Sequence, residues 1–188
     1  LPPRRVIGSG TVLDTARLRY ELSAHCELDP RNVHAYILGE HGDSEVPIWS
    51  LANVAGVPFR RFCRMCGRCD PQCELPRIFE RVKNAAYEII RFKGATYYAV
   101  AMGTTRMIQA ILRDQNTVLT ASTLLDGQYG IEDVCLSLPV VLCNDGIRMV
   151  VDLPLSDEEQ EALRNSADVI RSALDKIEYP YMSEDPEP

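Results

Sequence analysis

Three β-rich segments in the latter part of the chain, residues 117–124, 134–142 and 149–153, are separated by Asp126-Gly127 and Asn144-Asp145-Gly146. Turns of this chemistry return a strand upon itself, so the three segments read as antiparallel neighbours. Behind them a helix is announced by Ser156 and Glu159 at capping-box spacing, and by Leu163, Ala167, Ile170, Leu174 and Ile177 at three- or four-residue intervals. That stripe is core packing. Upstream, residues 13–26 read as a helix with Leu18, Leu22 and Cys26 at every fourth position, and residues 75–92 as a helix with a broad apolar face. Lys93-Gly94 interrupts the pattern, and a further helix over 96–113 would put Thr96 at a helix start, where a hydroxyl and free amides can meet an anion. Residues 33–38 read as a strand, and residues 46–57 as strand-like segments around Trp49. The mixture implies an α+β domain: a twisted antiparallel sheet packed with long helices.

With 188 residues and 46% apolar composition, the chain suffices for one well-buried domain and is short for two. Residues 1–177 read as that domain, and the acidic, proline-containing tail over 178–188 is expected to be disordered. A net charge of −7 argues against nucleic acid or an anionic membrane as the main partner. No apolar run approaches the ~20 residues needed to cross a bilayer, and Leu1-Pro2-Pro3-Arg4-Arg5 lacks the apolar core of a signal peptide. The expected location is the cytoplasm. The chain starts without methionine just before the strand-like Arg5-Val6-Ile7, so an upstream segment is expected to have been removed.

The chemistry is carried by Asp14-Thr15-Ala16-Arg17 and Gly39-Glu40-His41-Gly42-Asp43-Ser44-Glu45. Hydride delivered to the carbonyl of a 2-keto acid leaves charge growing on oxygen, and an acid must supply a proton as it appears. Histidine, with an ordinary pKa of about 6.5, can donate in one direction and accept in the other. His41 is the candidate for that acid, and Asp14 for the buried carboxylate that aims the ring and favours its charged form. Arg17, one helical step of three from Asp14, is the candidate clamp for a substrate carboxylate through its planar fork. Taken singly, these residues also suit an ordinary intrahelical ion pair and an ordinary loop histidine.

Together, Val6-Ile7-Gly8-Ser9-Gly10-Thr11, Leu13-Asp14-Thr15-Ala16-Arg17, Gly39-Glu40-His41-Gly42-Asp43-Ser44 and Lys93-Gly94-Ala95-Thr96 resemble the second half of the L-lactate dehydrogenases. The resemblance runs from the amino-terminal motif into the last helix. It implies His41 as proton donor and acceptor in the reduction of pyruvate to L-lactate by NADH, Asp14 as its orienting partner, and Arg17 as binder of the substrate carboxylate. It also implies Thr96 beside the substrate and Ser9 near the nicotinamide ring. The sister malate dehydrogenases usually carry Gly-Gly-His-Gly-Asp and a residue without a hydroxyl where Thr96 falls, so Glu40 and Thr96 favour lactate. A dehydrogenase for malate or another 2-hydroxy acid is the near alternative, and a non-catalytic effector- or metal-binding module the distant one.

Two further expectations rest on the same resemblance. Arg19 and His34 match residues that bind fructose 1,6-bisphosphate in bacterial members, and Arg19 lies about 200° around the helix from Arg17, away from the catalytic side. A homo-oligomer, commonly a tetramer, is implied as well. NAD needs a strand, a glycine-rich turn and a helix with an acidic residue beyond, and Gly8-Ser9-Gly10-Thr11 is too short to qualify. The NAD-binding domain, the lid arginine and the usual asparagine are therefore expected upstream, and the isolated chain is expected to show little turnover.

Cys63, Cys66, Cys69 and Cys73 depart from the resemblance. Their C-x₂-C-x₂-C-x₃-C spacing is that of an iron–sulfur run with Glu74 in place of proline, and four thiolates so close can also hold zinc. Free thiols rank first, structural zinc second and a cluster third. The flanking Arg60, Arg61, Arg64 and Arg68 read as solvating a loop.

Overall fold

The computed structural model describes residues 1–67 and 71–177. Helix α1, Val12–Cys26, is followed by four of five two-residue strands: β1 (Val33–His34), β2 (Ile37–Leu38), β3 (Val46–Pro47) and β4 (Asn53–Val54). Then come β5 (Val57–Pro58) and three helices, α2 (Phe59–Cys66), α3 (Pro71–Lys93) and α4 (Tyr98–Leu112). The chain continues through β6 (Thr117–Asp126), β7 (Glu132–Cys143) and β8 (Gly146–Val150), and closes on α5 (Asp157–Leu174). This is the α+β arrangement expected from the alternation of periods.

Strands β6, β7 and β8 form the antiparallel meander, with Thr117 opposite Leu142 at one end and a register slip after Leu124 at the other. Gly127 and Gly146 make the turns, at φ of 97° and 100°, where a side chain would be strained. Strand β7 is the spine. Leu136 and Leu138 pack with Leu163 and Ala167 of α5, whereas Val140 and Leu142, farther along, pack with Met107 and Ala110 of α4. A third core joins Leu18 and Leu22 of α1 to Phe59 of α2 and to Leu75, Ile78 and Val82 of α3. Each fully buried leucine there contributes roughly 2 kcal/mol of transfer free energy.

Several boundaries differ from those expected. The strand over 33–38 is broken, because Val33 and His34 pair with Val54 and Asn53 while Ile37 and Leu38 pair with Pro47 and Val46. The arginine-rich stretch expected to be a loop is helix α2: Phe59 and Cys63, four apart, both face the core while the arginines stay outside. Helix α3 begins at Pro71 and accommodates Pro76, so it opens earlier than the apolar pattern indicates. Helix α4 begins at Tyr98, leaving Thr96 outside its first turn. Lys93 lies over the rings of Tyr97 (4.1 Å) and Tyr98 (4.7 Å), and Tyr97 departs from helical geometry at φ −148°. Cys69, the side chain of Cys73 and the tail over 178–188 lie outside the described residues.

Candidate active site

Helix α1 is pinned at its start by hydroxyls. Thr11 Oγ1 donates to the Ile37 carbonyl at 2.6 Å, the Ile37 amide donates to Thr15 Oγ1 at 2.9 Å, and the Thr11 amide donates to Ser137 Oγ at 2.9 Å. Short bonds of this kind fix both the angle and the rotation of the helix against β2 and β7. With α1 so fixed, Asp14 and Arg17, three residues apart, turn into one cavity.

The loop bearing His41 runs between β2 and β3, and each of its first residues has a mechanical reason. Gly39, at φ 95°, bridges to Ser137 through both backbone bonds, and a Cβ there would lie 2.5 Å from Ser166 Oγ. Glu40 folds over Gly42, where a Cβ would lie 2.7 Å from its carboxylate, and accepts from the Ser44 hydroxyl. The Glu40 amide donates to Ser166 Oγ at 2.8 Å, tying the loop to α5. Asp43 is held from the other side: its carbonyl accepts from Lys83 Nζ at 2.8 Å and its carboxylate from the Tyr87 hydroxyl at 3.3 Å.

These constraints bring His41 Nδ1 to 2.6 Å from Asp14 Oδ2, an oxygen that meets no other donor. Arg17 Nη1 lies 3.3 Å from Asp14 Oδ1, so the ion pair along the helix and the imidazole contact coexist on one carboxylate. The Asp14 side chain is 4% exposed and that of His41 is 52% exposed: a buried anion grips a ring that opens on solvent. Contact with Asp14 holds the His41 proton and raises its pKa above the ordinary 6.5, against the opposing effect of partial burial.

His41 stands between two cavities. One, of about 210 Å³, is lined by Asp14, Arg17, His41, Asp43, Glu45, Lys83 and Tyr87 and is strongly charged. The other, of about 170 Å³, is lined by Ser9, Gly10, Val12, Leu13, His41 and Val100 and is mostly apolar. Ser9 thus reaches His41's neighbourhood, whereas half-buried Thr96 lines neither cavity. Gly10 is close-packed, with its notional Cβ 1.8 Å from Ser137 Oγ.

Lys83, Tyr87 and Glu45 were not singled out by sequence reasoning. The first two, four apart on α3, present the signal of one helix face, masked by the surrounding polar residues. Glu45 is buried although it follows a polar loop, and that burial, with the like charge of Asp14, pushes its pKa up to about 8.

Arg19 faces the opposite side of α1, as its angular offset requires. Its Nε donates to the Ala35 carbonyl at 2.9 Å, its guanidinium lies over the Tyr36 ring, and it lines a cavity of about 550 Å³ with Arg31 and Arg106. His34 is exposed on β1 and does not line that cavity. Among the described cysteines, Cys63 belongs to the α1–α3 core, and Cys66 Sγ lies 3.7 Å from Cys26 Sγ. Among the described residues, donor atoms of metal-binding type converge only at Asp14, His41 and Glu45, and there Nδ1 is already engaged by Asp14.

The family description matching this chain is the lactate/malate dehydrogenase α/β C-terminal domain, over residues 11–179. An L-lactate dehydrogenase of Acetivibrio thermocellus is 54% identical over 177 residues, covering 94% of this chain and 56% of that protein. L-lactate dehydrogenase 1 of Clostridium acetobutylicum is 51% identical over 177 residues, with the same coverage. Among solved structures, the ligand-bound minor L-lactate dehydrogenase of Enterococcus mundtii superposes with a TM-score of 0.89 at 42% identity, over 95% of this chain and 56% of that one. A lactate dehydrogenase from a deep-sea metagenome, MGS-M5, gives 0.90 at 48% identity, over 93% and 56%. The chain spans little more than half the length of the relatives it matches.

Proposed function

This chain belongs to the lactate/malate dehydrogenase family, whose α/β C-terminal domain it carries, and from that premise we propose that it is the proton-transferring, substrate-clamping half of an NAD-dependent L-lactate dehydrogenase. The observation that carries the reading is the His41–Asp14–Arg17 constellation, a ring held at 2.6 Å by a buried carboxylate with a guanidinium on the same wall. Protonated His41 donates to the oxygen of the 2-keto acid as charge gathers on it and takes the proton back in the reverse direction. Asp14 fixes the ring and stabilises its charged form. Arg17 donates to the substrate carboxylate in the charged cavity with both arms of its fork.

NAD supplies the hydride when bound. The small, mostly apolar cavity walled by Ser9, Gly10, Leu13 and Val100 suits a flat ring beside His41 and nothing as large as a dinucleotide. The family resemblance puts the remainder of the cofactor on the companion domain. Fructose 1,6-bisphosphate is proposed as effector through Arg19 and His34 in a homo-oligomer; the guanidinium-lined cavity on the far side of α1 supports Arg19, while His34 rests on the family resemblance alone. It should lower the KM for pyruvate of the full-length enzyme, and an unchanged KM removes the effector from the reading.

The decisive measurement is pyruvate-dependent NADH oxidation by the full-length protein containing this domain. His41→Ala should cut kcat about 10²- to 10⁴-fold, the usual worth of a positioned acid. Undiminished turnover in that variant would overturn the assignment.

A further inference from the structure

Glu45 has no role in the mechanism above, yet it is the most unusual carboxyl group in the described molecule. It is 7% exposed, its Oε1 is buried without a hydrogen-bond partner, and one of its oxygens lies with a ring nitrogen of His41 and a carboxylate oxygen of Asp14 inside a group of atoms all within 4.8 Å of one another. A carboxylate desolvated beside a second carboxylate is costly, and a neutral carboxylic acid is not. From these positions we propose that Glu45 is a second proton-holding group of the His41–Asp14 pair: a positioning residue that, by sharing the loss of the pair's first proton, keeps the imidazole charged to higher pH than Asp14 alone would.

The surrounding charges allow this exchange. From α1 the site faces Asp14 and Arg17, from α3 Lys83 and the Tyr87 hydroxyl, and from its own loop His41 and Asp43. Both cations draw Glu45 toward its ionised form, but each is already engaged, Arg17 with Asp14 Oδ1 at 3.3 Å and Lys83 with the Asp43 carbonyl at 2.8 Å. Neither neutralises Glu45 outright, so its carboxyl balances between two states.

With Asp14 ionised, His41 and Glu45 hold two protons at low pH. Losing one leaves either a neutral ring beside a neutral acid or a charged ring beside an ionised acid, and the two arrangements have the same net charge. The proton lost belongs to the pair. Glutamine at position 45 deletes the second arrangement, so the ring must give up the proton itself.

The inference deepens the reading of His41 as proton donor and depends on it for its catalytic meaning. Its first test does not use catalysis: NMR titration of the ring signals of His41 in this chain, with His25 and His34 as internal references. In Glu45→Gln the His41 midpoint should fall by about half a pH unit or more, the order expected on losing one nearby charge. The Glu45 carboxyl carbon of the unsubstituted chain should titrate well above the ordinary glutamate range. Glu45→Asp, with its charge drawn back by one methylene, should give an intermediate midpoint and serves equally if the glutamine variant does not fold. A His41 midpoint unmoved in whichever variant folds, or a Glu45 carbon titrating as an ordinary glutamate, overturns the proposal. In the full-length enzyme, Glu45→Gln should lose pyruvate reduction first at the alkaline end of the kcat/KM profile. Absence of pyruvate reduction in the unsubstituted enzyme would instead refute the proposed function and leave the titration result standing.

Discussion

At position 41 the fold tunes proton affinity more than access, since the ring is half exposed while the groups that govern its charge are buried. His41 and Glu45 shift in the same direction, and the consequence for stability has a definite sign. The folded chain holds the His41 proton above the unfolded value of 6.5, and the Glu45 proton up to about 8 instead of 4.5. Each group therefore favours folding fully below its unfolded value and loses that advantage as pH rises through its folded one. Asp29, held down to about 2 chiefly by its hydrogen bond with Arg31, has the opposite sign and acts only in acid, below this window. Urea unfolding should therefore show stability falling from pH 5 to pH 8, by up to about 1.4 kcal/mol per pH unit from buried Glu45, with a smaller contribution from His41, whose exposure to solvent screens it. Glu45→Gln should flatten the curve. Stability that climbs over this interval would contradict the assignment of both groups. Arg17→Lys is the complementary test on the substrate side: a point charge cannot replace a fork, so the pyruvate KM of the full-length enzyme should rise about tenfold or more with a smaller change in kcat. An unchanged KM would remove Arg17 from the clamp. Of these residues, His41, Asp14 and Arg17 were legible because helical spacing and flanking glycines reach into sequence directly. Glu45 was not, since its burial depends on α3 closing over the loop, which no local pattern records.

The elements hold the site through side chains that serve two partners at once. Glu159 is the clearest: it completes the capping box with Ser156, accepting from the Ser156 amide at 3.0 Å, and also accepts from the Ser50 amide at 2.9 Å and the Ser50 hydroxyl at 2.5 Å. The box was readable from the spacing of Ser156 and Glu159. The tie to Ser50 was not, because it joins residues 109 positions apart. Two substitutions separate the roles. Ser156→Ala should cost about 1 kcal/mol, the worth of an N-cap hydroxyl. Glu159→Ala should cost about 2–4 kcal/mol, because the Ser50 amide and hydroxyl lose their acceptor as well. Equal losses in urea midpoints would mean that the Ser50 bonds contribute nothing. The same logic accounts for the misread elements: α2 looked like a solvated loop because its arginines outnumber the two residues, Phe59 and Cys63, that decide its orientation. The strand over 33–38 divides because its halves find different partners, again a long-range choice.

Across the whole molecule, α1 and α3 close one core, α5 a second and α4 a third, yet α4 keeps a large part of its apolar surface outside. Tyr98 is 73% exposed, Met102 70% and Leu112 79%, with Ile108 half exposed on the same helix. Its inner residues Met107 and Ala110 are buried against β7, so the helix is docked on one side and bare on the other. Single exposed apolar residues are ordinary, but several large ones on one helix make a sticky surface. The chain on its own should therefore self-associate as its concentration rises through the micromolar range and bind a hydrophobic dye, both visible by sedimentation velocity and fluorescence. The double substitution Met102→Lys and Leu112→Lys should abolish both, and because these side chains are exposed it should leave the urea midpoint within about 0.5 kcal/mol of the unsubstituted chain. A chain that sediments as a monomer at all concentrations and leaves the dye dark would show that the α4 surface is ordinary.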